Sequence, residues 1–109
     1  MKMIVTGRKI DITDGIRDHL NRKMNKAITN LDDATDIHVS LSVKKHRHFA
    51  EITARKKGVS IHSHDETKDL YASMDKALEK MEKQLRKNKD TVKDLRVKIG
   101  SNLKNQILN

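Results

Sequence analysis

Four lysines, Lys76, Lys80, Lys83 and Lys87, follow one another at steps of four, three and four residues. On an α-helix that spacing puts all four on one side, as a ridge of ammonium groups. Arg86 and Lys89 widen the ridge, while Glu79 and Glu82 interrupt it and are placed for pairing with bases four positions on. Such a ridge makes and breaks no bonds. Its chemistry is the neutralisation of phosphates, driven by the counterions that a polyanion releases. A solvated helix face would show the same pattern. Two further basic groups decide between the readings: Arg17, Arg22, Lys23 and Lys26 in an earlier amphipathic segment, and Lys44, Lys45 and Arg47 around a turn. Bases from three separate elements exceed what solubility requires, so phosphate binding is the expectation.

Other chemistries have weaker support. His38, His62 and His64 fall on one strand face, which raises the question of a metal, but the 109 residues include no cysteine. No carboxylates cluster on that face, so the three read as solvated side chains and no metal or cofactor is expected. His46 and His48, inside the basic turn, suit hydrogen bonding to RNA. Asp65, Glu66 and Asp69 precede the last helix, where a nuclease would hold a metal; acids there are more simply caps and dipole partners. There is no Gly-rich phosphate loop, no HExxH and no supportable Ser/His/Asp arrangement, so no enzyme is expected. Phe49 and Tyr71 are the only aromatic residues. Phe49 is placed for an open sheet face, where it could stack a base, and Tyr71 for a half-buried helix start; one ring makes a weak platform. Contact through phosphates and shape is the expected mode.

The elements that must position these residues follow from periodicity. Lys2 to Arg8 reads as a strand, with Met3 and Val5 on one face. A helix over Asp14 to Thr29 carries the stripe Ile16, Leu20, Met24, Ala27, Ile28, with Thr13 as N-cap. Ala34 to Lys44 alternates, Ile37, Val39, Leu41 and Val43 against His38, Ser40, Ser42 and Lys44. After the turn Lys45-His46-Arg47-His48, a strand runs from Phe49 to Lys56, and a Lys57-Gly58 turn leads to a fourth with Val59, Ile61 and Ser63 inward. The last helix, Lys68 to Lys89, has Leu70, Met74, Ala77, Leu78, Met81 and Leu85 as its stripe. The order β-α-β-β-β-α predicts an α+β fold, with the first two strands parallel, the rest antiparallel and both helices on one face of a four-stranded sheet. That is the layout of double-stranded-RNA-binding domains. Residues 1–89 form the domain and 90–109 a flexible tail.

The formal net charge is +9, from 24 Lys and Arg against 15 Asp and Glu. The first residues lack the apolar run of a signal peptide, and no stretch approaches the ~20 apolar residues that span a bilayer. The expectation is a soluble cytoplasmic protein without a membrane partner or a small-molecule substrate.

Several segments, taken together, resemble one family: Thr6-Gly7-Arg8, Ile12-Thr13-Asp14, His38-Val39 with Leu41-Ser42-Val43, and Lys45-His46-Arg47-His48 leading into Ala50-Glu51-Ile52-Thr53. To these add Asp69-Leu70-Tyr71-Ala72, Met74-Asp75 and the run Lys80 to Lys87. The ordered set is similar to the bacterial ribosome hibernation-promoting factors and the related ribosome-associated inhibitor, protein Y. The resemblance implies a βαβββα domain in the channel between head and body of the 30S subunit, on 16S rRNA of the 70S ribosome. There it would overlap messenger RNA and A- and P-site transfer RNA and silence translation in stationary phase or stress. It implies that Lys80, Lys83, Arg86 and Lys87 face rRNA, with Arg8, Lys23, Lys26, Lys45 and Arg47 as further contacts, and that the protein is monomeric off the ribosome. Tyr71 and Asp75 match positions the family keeps, for a local structural role. Ser63 and Asp65 stand where the family has small or apolar residues, which implies a looser end to the fourth strand. The tail is too short for the dimerisation domain of the family's long form. From other classes, a generic double-stranded-RNA-binding module and a metal-dependent nuclease are the alternatives.

Overall fold

The computed structural model describes residues 2–27, 35–56 and 58–87. Its elements are β1 (Lys2–Arg8), α1 (Asp14–Ala27), β2 (Asp36–Lys44), β3 (Arg47–Lys56), β4 (Val59–Thr67) and α2 (Leu70–Lys87). The four strands lie in sequence order in one sheet, β1 parallel to β2 and the other neighbours antiparallel. This is the expected βαβββα arrangement.

Alternation along the strands creates the core. Val5, Ile37, Val39, Leu41, Ala50, Ile52, Ala54 and Ile61 are buried on one face, in a single cluster with Ile16, Leu20 and Met24 of α1 and with the apolar stripe of α2. Both helices therefore cover the same side of the sheet, and the opposite side is open.

Local chemistry sets the boundaries. The Thr13 hydroxyl accepts the Ile16 N–H at 3.1 Å, so α1 is capped where expected. Asp69 does the same for α2, its carboxylate taking the Ala72 N–H at 2.9 Å, and the helix opens at Leu70 rather than Lys68. The basic turn is tighter than expected: Lys44 pairs with Arg47, leaving Lys45 and His46 as the turn, with Lys45 at φ 57°. β4 also runs further than expected, to Thr67. Lys56 pairs with Val59 across a turn in which Gly58 has φ 82°, a conformation that suits glycine. Gly7 is required for another reason. A Cβ there would stand 2.5 Å from the Ile10 carbonyl oxygen and 2.9 Å from Ile12 Cδ1, where the chain leaving β1 folds back. Ile28, Thr29, Ala34, Lys57, Lys89 and the tail expected at 90–109 lie outside the described residues.

Candidate nucleic-acid interface

α2 lies over β3 and β4, and its two flanks have opposite character. The flank beside β4 carries Lys76, Lys80 and Lys83, all exposed, while the side chain of Lys87, the fourth residue of the expected ridge, lies outside the described ones. Lys80 is nonetheless tied into the fold. Its ammonium donates to the His64 carbonyl at 3.0 Å and pairs with the Asp65 carboxylate at 3.1 Å, which leaves one of its three donors free. Gln84, one turn on, donates to the His62 carbonyl at 2.6 Å. Arg86 and Lys87 belong to the last turn of α2.

Asp65 is drawn into the same flank. Burial pushes its carboxyl upward, but the Glu66 N–H and the Lys80 and Lys76 ammonium groups outweigh that and hold it below its ordinary value. With Ser63 buried and donating to the Ala77 carbonyl at 2.8 Å, the end of β4 is firmly held, not loose as the two polar residues had implied. Three polar links clamp it: Ser63 to Ala77, Lys80 to His64 and Lys80 to Asp65.

The other flank of α2 faces α1 and is acidic. Asp75 Oδ1 lies 2.7 Å from His19 Nε2, and its other oxygen 3.9 Å from the Lys23 ammonium. The Tyr71 ring meets His19 edge to face at a centroid distance of 4.7 Å, which gives Tyr71 and Asp75 a shared role in joining the helices. Below them a groove of about 230 Å³ is lined by Lys23, Lys26, Leu78, Glu79 and Glu82. Glu79 thus lies opposite α1 and forms no ion pair with Lys83. Arg17, Arg22, Lys26, Lys76 and Lys83 have no ion-pair partner among the described residues, and their charge is available to a ligand.

The third basic group sits where β1 and β2 end and β3 begins. Arg8 is exposed opposite Ser42, and Lys45 projects from the turn. Arg47 is engaged: its Nε donates to Glu66 Oε2 at 2.8 Å across the strands. The expected RNA-facing residues therefore divide. Arg8, Lys26, Lys45, Lys76 and Lys83 are open, whereas Lys23, Arg47 and Lys80 also hold neighbouring elements together.

On the open face of the sheet stand His38, His62, His64 and Phe49, as their strand parity requires. No group of three metal-ligating side chains occurs among the described residues. The links Lys80–Asp65, Gln84–His62 and His19–Asp75 could not be read from spacing, since each joins elements whose register only the fold sets.

Residues 3–93 match the family described as "Sigma 54 modulation protein / S30EA ribosomal protein". The chain belongs to this family. Among curated S30EA relatives, the ribosome hibernation promoting factor of Escherichia coli K12 is 32% identical over 93 residues, covering 85% of this chain and 98% of the relative. The ribosome hibernation promotion factor of Picosynechococcus is 34% identical over 96 residues, 83% of this chain and 50% of that longer protein. The S30EA fold is also found in two solved structures. The N-terminal domain of Thermus thermophilus Protein Y superposes with TM-score 0.70 at 31% identity, over 79% of this chain and 97% of that one. A ribosomal subunit interface protein from Coxiella burnetii gives 0.73 at 26% identity, over 83% and 99%. No helix among the described residues is long and apolar enough to cross a membrane.

Proposed function

We propose that this S30EA-family protein is a cytoplasmic ribosome hibernation factor that lodges on 16S rRNA of the 30S subunit and silences translation by occupancy, not by catalysis. The observation that carries this reading is the match over 85% of the chain to a factor named for hibernation promotion. The unpaired bases of both helices supply the means. Lys76 and Lys83 on α2, with Arg17, Arg22 and Lys26 on α1, are exposed and present positive charge to phosphates. In this reading the domain fills the path of messenger RNA and of A- and P-site transfer RNA.

The test is sedimentation of the full chain with purified 30S and 70S particles, followed by a density map of the 70S complex. Co-sedimentation and density in the decoding channel are expected; a chain that stays soluble, or binds free duplex RNA as well as it binds ribosomes, overturns the proposal. The variant K76E/K83E should lower ribosome affinity and reduce its salt dependence by about 0.7–0.9 log units per log unit of salt for each phosphate that is no longer neutralised.

A further inference from the structure

The open face of the sheet differs in kind from the helical surface. Over the four ranks where all four strands run, its charges cancel: Lys2, Arg8 and Arg55 against Asp36, Glu51 and Glu66. Lys44 and Arg47 extend it at the hairpin, where Arg47 is already paired with Glu66. Into this balanced lattice the sequence sets three exposed histidines. Histidine is the side chain whose charge ordinarily changes between about pH 5 and 8.

Their surroundings accept a charged ring. His62 Nδ1 lies 2.9 Å from the Thr53 hydroxyl and Nε2 lies 3.6 Å from Glu51 Oε2, so both nitrogens face oxygens able to accept from an N–H. His38 Nε2 is 3.0 Å from the Thr6 hydroxyl, and the His62 and His64 rings stand 6.2 Å apart. Beside them a depression of about 420 Å³ is lined by Phe49, Ser40, Ser42 and His64 and by three carboxylate residues, Glu51, Asp65 and Glu66. It joins an aromatic ring to polar acceptors, the combination that seats an unstacked base.

We propose that this open face is a second, single-stranded-RNA surface, with Phe49 seating a base and His38, His62 and His64 meeting backbone phosphates when protonated. The histidines aside, these four ranks carry no net charge and offer an RNA strand little. Each histidine that is protonated adds one positive charge to the face, opposed by Asp36, Glu51 and Glu66 and, at the rim of the depression, by Asp65. The surface is separate from the helical bases of the proposed ribosome contact and stands without that reading.

The experiment uses the full chain and a single-stranded uridine oligoribonucleotide of about 12 nucleotides. Fluorescence anisotropy across a salt series is read near pH 7.5 and near pH 5.5. Binding should be tighter at the lower pH, with a salt dependence steeper by about 0.7 per histidine that meets a phosphate, so by as much as about 2. The variant H38N/H62N/H64N, at exposed positions, should lose this increment. K76Q/K83Q should weaken binding at both pH values and keep it. E51Q should tighten binding near pH 7.5. An increment that survives in the triple histidine variant, or disappears in K76Q/K83Q, overturns the proposal, as does pH-independent binding of the wild-type chain.

Discussion

The two halves of this small domain are assembled differently. Between β4 and α2 the joint is stitched with polar bonds: Ser63 to the Ala77 carbonyl, Lys80 to the His64 carbonyl and Asp65, and Gln84 to the His62 carbonyl. At its top, the buried Ser73 hydroxyl bonds the His48 carbonyl at 2.8 Å and the Thr67 hydroxyl at 2.7 Å, binding β3, β4 and α2 at one point. The half made of β1 and α1 relies on apolar burial, with Val5, Ile16, Leu20 and Met24 in the core and the contacts of His19 and Lys23 with Asp75 as its polar links to α2. Apolar burial supplies most of the free energy and little direction, whereas directed bonds fix register. The half that carries the lysine ridge is the one whose register is fixed.

The difference can be broken from either side. Leu20→Ala removes a fully buried side chain from the apolar half and should cost about 2–5 kcal/mol in urea unfolding, the largest effect. A cost no greater than that of a surface substitution would show that α1 contributes little to the fold. Ser73→Ala acts on the stitched half: it removes the donor to the His48 carbonyl, while the Thr67 hydroxyl keeps its bonds to Asp69, and should cost about 1–3 kcal/mol. The smallest effect is one of pH. Because the Asp65 carboxyl is held below its ordinary value in the folded state, it adds stability that is present above that ordinary value and disappears as pH falls through the lowered one. Asp65→Asn should therefore leave the acid-induced fall in urea midpoint shallower than in the wild type; equal slopes would show that the Lys80 pair contributes nothing.

What could be read in the sequence follows the same division. The strand alternation Ile37, Val39, Leu41 and the α2 stripe Leu70 to Leu85 are periodic, and from them come the element order, the shared helical face and the parallel first pair. Thr13 and Asp69 are local caps, legible because their partners lie three residues away. Lys80 was legible as a ridge residue but not as a partner of Asp65, because that bond depends on where α2 crosses β4. The ends of β3 and β4 were underestimated because the pair Arg47–Glu66 and the polar residues Asp65 and Thr67 break the apolar pattern while the backbone ladder continues. Polar, long-range contacts leave no period to detect.

Consider finally the two borders of the sheet. Along β4 the side chains of Lys80 and Gln84 occupy the carbonyls of His64 and His62, as a hem finishes cloth. β1, at the other border, pairs only with β2 among the described residues. Growth of a cross-strand fibril needs two open selvedges on every unit, one to receive and one to offer. With the His62 and His64 carbonyls taken, the β4 border offers a joining strand fewer acceptors than β1 does, so contact between sheets favours the β1 border.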